Sequence, residues 1–173
     1  MRNFLTGLIV FGVILVAFLL QLIVINEMPL FGAKANIGIV LIVALSILCG
    51  KQVGISVGIV YGIISDVLFG KAFGIYTLLF FLIGFFCGGM SRGFSKEYKN
   101  ALIMITAGTT LIFEVIAIGI FKIVFNYELE IILSVKQIGL EMLYNMLISR
   151  MLFSALTGLS EIINKGKRSY YLL

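Results

Sequence analysis

A chain of 173 residues that is 61% hydrophobic and only 12% charged, with a mean hydropathy of +1.18, cannot be a soluble domain. Its surface would have to be apolar as well as its core. The net charge of +5 would suit nucleic acid in a soluble protein, but in a polytopic membrane chain basic residues belong first to the cytoplasmic loops, and no nucleic-acid partner is implied.

The first apolar run, residues 4–25, is long enough to cross about 30 Å of hydrocarbon at about 1.5 Å per residue. It is too long for a typical signal-peptide core and has no small-residue cleavage site after it, so it is expected to remain as the first span. Residues 26–34 hold the only proline, Pro29, in a short loop. The second span is expected over 35–49, followed by a tight turn at Gly50, Lys51 and Gln52 that forces an antiparallel hairpin with the third span, 53–69. The fourth span is 75–90, and the stretch from Ser91 to Asn100 is the first that reads as fully wet. The fifth span is 101–125, a polar connection covers 126–137, and the sixth span is 138–163. The expectation is an all-α integral membrane protein: residues 1–173 as one polytopic domain, six transmembrane helices in one compact bundle.

Eight of the thirteen Lys and Arg residues (Arg2, Lys51, Arg92, Lys96, Lys99, Lys165, Lys167 and Arg168) share one side if both termini are cytoplasmic. Only Lys34, Lys71 and Lys136 then face outward, with Lys122 and Arg150 inside spans. The positive-inside rule therefore puts both termini on the cytoplasmic side.

The third span is the stretch around which the rest reads as organised. Gly54, Gly58, Gly62, Asp66 and Gly70 recur every four residues, which on a helix makes a groove of bare backbone ending in a carboxylate. Glycine costs about 1 kcal/mol per residue in a helix in water, so the run implies a compensating contact with a closely crossing helix. That helix can be a neighbour in the bundle or a partner. Asp66 is placed to cap the end of a hairpin or to bond a neighbour.

Charges inside the spans need company, because each costs at least about 2.5 kcal/mol in hydrocarbon. Glu114 and Arg150 lie near the middles of the fifth and sixth spans and are expected to form an ion pair. Arg150, Ser154, Thr157 and Glu161 share one helical face, which should turn into the bundle or toward a partner. Asp66, Lys122, Glu141 and Asn145 sit at similar depth near the outer surface, either as a pocket or proton path or as groups that lock helices together. Cys49 and Cys87 have no metal-ligand spacing and lie near the cytoplasmic ends of their spans, so they read as buried thiols. The chain has no histidine and none of the common nucleophile, phosphate-loop or metalloprotease motifs, so neither an enzyme, a metal nor a cofactor is expected.

Asn36, Gly50, Gly54, Gly58, Gly62, Asp66, Gly70, Gly74, Tyr76 and Leu78, in that order and with Gln21 ahead of them, resemble the pattern of the rod shape-determining protein MreD family. The likeness covers residues 20–90, with Asn145 a further point. It departs at Ala35, where a proline commonly precedes the Asn or Asp. The resemblance implies a non-enzymatic scaffold of the cell-elongation (Rod) complex. Such proteins bind MreC and act indirectly with MreB, RodA and a class B penicillin-binding transpeptidase in lateral peptidoglycan synthesis. It also implies a fold similar to the substrate-binding subunits of energy-coupling-factor vitamin transporters. Such a subunit is the alternative reading. Against it stand the absence of Trp and His and a first span whose small residues, Gly7, Gly12 and Ala17, are nowhere four apart.

Overall fold

The computed structural model describes residues 2–25, 32–70, 72–93, 99–125 and 131–168. The loop expected around Pro29, the centre of the wet stretch (94–98), Lys71 and the side chain of Glu161 lie outside the described residues. Six α-helices make up the described chain: α1 (Arg2–Leu20), α2 (Ile37–Cys49), α3 (Lys51–Phe69), α4 (Ile75–Gly89), α5 (Lys99–Phe125) and α6 (Ile131–Arg168). Lys51–Phe69 and Asn100–Phe125 are long and apolar enough to cross a membrane, and Gly7–Ile23, Ile37–Cys49 and Ile75–Gly89 are shorter apolar helices.

The bundle is centred on α2 rather than on the glycine-stepped α3. Every residue of α2 except Leu48 is buried, and α1, α3, α4, α5 and α6 all pack around it. Its sequence, IGIVLIVALSILC, has no polar face, and a helix apolar on all sides is one that neighbours surround. Its one hydroxyl, Ser46, is satisfied inside the helix by donating to the Ile42 carbonyl.

Both ends of α2 are fixed by specific backbone chemistry. At its start, Asn36 caps the helix by accepting from the Ile39 N–H at 3.3 Å. Gln21, in a π-helical turn over Gln21–Ile25 that finishes α1, donates to the Ala35 carbonyl at 2.9 Å and accepts from the Ile37 N–H at 2.8 Å. One glutamine thus binds the end of the first helix to the entry of the second. At the other end only Gly50 separates α2 from α3. Its φ of 91° lies in the region that glycine reaches without a Cβ penalty, so the chain reverses in a single residue.

Two boundaries differ from the hydropathy pattern. The fourth span ends at Gly89 and a 3-10 turn, Met90–Gly93, follows. More consequentially, α6 begins at Ile131, inside the polar stretch expected to be loop. Helix formation there needs backbone hydrogen bonds, not hydrophobicity, so Ser134, Lys136 and Gln137 join the helix although they do not extend the apolar run.

Candidate functional site

The glycine face of α3 is occupied by α4, joined at Gly54 by Ser46 of α2. A Cβ added at Gly58 would stand 2.9 Å from the Phe80 carbonyl carbon, one at Gly54 would stand 2.9 Å from the Gly84 carbonyl oxygen, and one at Gly62 would stand 3.0 Å from the Thr77 nitrogen. Real Cβ atoms do not approach that closely. The two backbones therefore touch along three turns, in the antiparallel register Gly54–Gly84, Gly58–Phe80 and Gly62–Thr77. Two small residues on α4 answer the stripe: Gly84 meets the backbone of Gly54, and Gly88 meets that of Lys51. Their four-residue spacing was visible in the sequence and complements the α3 pattern. Gly70 belongs to a different device. It is the C-cap of α3, where its N–H donates to the Asp66 carbonyl at 3.0 Å.

Asp66 ends the stripe by capping the neighbouring helix. Its two carboxylate oxygens accept from the Tyr76 and Thr77 N–H groups, each at 2.9 Å, and the second also accepts from the Thr77 hydroxyl. The N-cap position of α4 is Gly74, at φ 106°, which has no side chain to offer. A carboxylate from α3 therefore satisfies two of the orphan N–H groups at the start of α4 and lies at the positive end of its dipole.

Asn145 is the second fixed point. It is fully buried on α6 (0% exposed), where its carbonyl oxygen accepts from the Asn36 N–H at 2.7 Å and its amide donates to the Thr110 hydroxyl at 3.0 Å. One side chain joins α6 to the entry of α2 and to α5. Thr110 escaped the sequence reading because a lone threonine in an apolar helix is normally satisfied by its own backbone, as this one also is through the Thr106 carbonyl at 2.9 Å.

The expected Glu114–Arg150 ion pair is not formed. Glu114 instead faces Glu141, with their carboxyls within hydrogen-bonding reach, and Glu141 also reaches Asn145. One oxygen of Glu141, Oε1, is buried without a hydrogen-bond partner. The reason is register. Thr110 opposite Asn145 and Glu114 opposite Glu141 define how α5 and α6 run past each other. The same register puts Arg150 level with Ile105, about 13 Å along α5 from Glu114. Matching the centres of the two apolar runs assumed that the two centres lie at one depth, whereas the Asn145–Thr110 hydrogen bond sets α6 along α5 about 13 Å away from that alignment.

Arg150 and Ser154 are exposed and Thr157 half-buried, so this face of α6 does not point into the bundle, as one of the two expectations had it. The buried face carries Asn145, Ser149, Phe153, Leu156 and Ser160. Lys122 is exposed in the last turn of α5, apart from Asp66 and its capping contacts. Among the described residues neither Lys122 nor Arg150 makes an ion pair. Cys49 and Cys87 are both buried, and the Cys87 sulfur lies 3.7 Å from the Thr109 hydroxyl.

A cleft of about 300 Å³ opens between the end of α1, the start of α2 and the adjoining halves of α3 and α4. Gln21, Lys34, Asn36, Tyr61 and Ser65 supply its polar lining, and Phe69, Tyr76 and Phe80 supply ring surfaces. Behind it the rings form a continuous aromatic core, with Tyr61 edge-on to Phe18 and Phe80 (5.4 and 5.3 Å between centroids) and Phe80 stacked on Phe113 at 5.0 Å. Tyr76 packs against Phe113 and Phe121 and lies within electrostatic reach of Asp66, Glu114 and Glu141.

Neither the curated proteins nor the solved structures contain a match to this chain. A family model does match: that of the rod shape-determining protein MreD, over residues 1–162. Its span takes in all six helices down to the last turns of α6, well beyond the region in which the residue pattern is legible. The chain belongs to the MreD family, shape-determining structural proteins of the membrane.

Proposed function

We infer that the protein is a non-enzymatic scaffold subunit of the cell-elongation complex, which holds MreC by contact in the plane of the membrane. Through MreC it acts with MreB, RodA and a class B penicillin-binding transpeptidase to support lateral peptidoglycan synthesis. Both termini face the cytoplasm of a bacterial cell in this reading, and the bundle shares the architecture of the energy-coupling-factor substrate-binding subunits. The observation that carries it is the family match over residues 1–162. Two features support it. The in-span polar groups Asp66, Asn145 and Gln21 are engaged in joining helices, and the backbone groove of α3 is filled by α4. A partner helix is therefore assigned to an outward face, and the face of α6 with Arg150, Ser154 and Met151 (79% exposed) is the best supplied. An exposed guanidinium and hydroxyl among apolar side chains give a membrane partner polar groups to recognise.

Co-purification in mild detergent with tagged MreC from the same cell tests the binding, and a photo-crosslinker placed at Met151 or at Val67 locates it. Retention of the protein with crosslinks from Met151 is expected. Crosslinks from Val67 alone would move the contact to α3. Failure to co-purify, with a vitamin bound to the isolated protein, would replace the scaffold by a transporter subunit.

A further inference from the structure

Arg150 lies on the outside of the bundle, inside the apolar run of α6. Level with Ile105, its Cα stands about 9 Å along α5 from the helix start at Lys99 and about 30 Å from the other end at Phe125. Cα–Cβ bonds in a helix tilt toward its N-terminus. The Arg150 side chain therefore leads away from the nearer surface and toward the middle of the bilayer, which works against reaching the headgroups. A guanidinium left there among lipid tails is costly.

Among the described residues no carboxylate is available to it. The described acidic side chains are Asp66, Glu114 and Glu141. Asp66 is committed to the start of α4, and Glu114 and Glu141 face each other between α5 and α6. Glu161 stands about 16 Å further along the same helix. A second copy packed on this face about a two-fold axis along the membrane normal would set Arg150 against Arg150, so like charges oppose a dimer here.

The face around Arg150 is patterned for another helix. Leu143, Leu147, Arg150 and Ser154 follow one another at spacings of four, three and four, all of them exposed, which is the 3.5-residue period of a helix–helix seam. Ser154 and Gly158 are four apart on the same face, and a Cβ at Gly158 would meet nothing within 4 Å. Small residues let a second backbone come close. The glycines of α3 find that backbone in α4, whereas Gly158 is left open.

We propose that a partner's transmembrane helix bearing an Asp or Glu within the hydrocarbon packs on this face, with that carboxylate paired to the Arg150 guanidinium and the closest approach at Ser154 and Gly158. Arginine suits the role, because its planar fork meets a carboxylate at two points and is more weakly hydrated than an ammonium. The inference rests on the scaffold reading, which supplies a membrane partner, and adds the charge that this partner must bring.

The test uses the full chain co-expressed with tagged MreC from the same cell, with a photo-crosslinker at Leu147 or Met151 and the crosslinked peptide read by mass spectrometry. That peptide is expected to be an apolar span containing Asp or Glu. Arg150→Leu should lower retention by about tenfold or more, the loss when a charge is left unpaired in a dry interface, and Arg150→Lys should keep most of it. Arg150→Glu should abolish retention and be rescued when the partner's carboxylate is replaced by Arg. The isolated variants should unfold at the wild-type temperature, because Arg150 makes no ion pair among the described residues. Retention unchanged by Arg150→Leu, or a crosslinked span without an acid, would overturn the proposal and leave the scaffold reading standing. Arg150→Leu that keeps the partner but loses bound phosphatidylglycerol in native mass spectrometry would overturn it in favour of a lipid phosphate. Wild type that retains no MreC would remove the scaffold reading and this proposal together.

Discussion

Asp66 and Thr77 are joined twice, through the Thr77 N–H at 2.9 Å and through the Thr77 hydroxyl, both to the same carboxylate oxygen. The pair closes the α3–α4 hairpin at the end where Gly74 provides no cap of its own. Replacing Asp66 by Ala removes the acceptors of two helix N–H groups and a hydroxyl and should destabilise the protein by about 1–3 kcal/mol. Asp66→Asn, which keeps one acceptor oxygen, should lose less. Thermal unfolding in detergent, ranking wild type above Asn and Asn above Ala, checks this, and equal stability of all three would show that the cap is dispensable.

Gly58 and Gly108 are both helical glycines, but they should respond oppositely to the same change. A methyl at Gly58 would press into the Phe80 backbone, whereas one at Gly108 meets nothing within 4 Å. Gly58→Ala should lower stability by about 1–3 kcal/mol as two backbones are forced apart. Gly108→Ala should be neutral or slightly stabilising, since alanine is the better helix former. Yield and unfolding temperature of the two variants, purified side by side, give the comparison.

Asn145 and Thr110 should be energetically coupled. Asn145→Ala strands the Asn36 N–H as well as losing the Thr110 contact, and is expected to cost about 1–3 kcal/mol. A double-mutant cycle with Thr110→Val should give a coupling above about 0.5 kcal/mol, the range of contacting pairs. Simple additivity would mean that the buried amide holds α6 through Asn36 alone.

The acid pair makes a contrasting prediction about which charges meet. Glu114→Gln and Glu141→Gln should couple by more than about 0.5 kcal/mol, because the two carboxyls face each other. Glu114→Gln and Arg150→Leu should be additive to within about 0.5 kcal/mol, because the register holds them well apart. Coupling in the second cycle and none in the first would restore the ion pair that apolar-run centres suggest.

These contacts also mark how far the residues alone could be read. Periodicity tells which side chains share a face, so the stripe Gly54, Gly58, Gly62 and Asp66 was visible as a close-packing surface ending in a cap, and Glu141 and Asn145 were visible as neighbours. Composition determined that the chain is a bundle of apolar helices. A face, however, does not name its neighbour. That α4 rather than a partner fills the groove depends on Gly84 and Gly88 coming into register with Gly54 and Lys51. That α2 is central depends on five helices surrounding a segment whose apolar residues look alike from every side. Pairing across helices depends on the register in which they pack, which the Asn145–Thr110 contact sets for α5 and α6, and hydropathy marks only where an apolar run lies in its own segment. The sequence by itself determined the class, the helices and the glycine face. Only the tertiary structure decided the partners of Glu114, Asp66 and Asn145 and the cleft around Tyr61, because depth and register arise from packing several helices together and are encoded in no one of them.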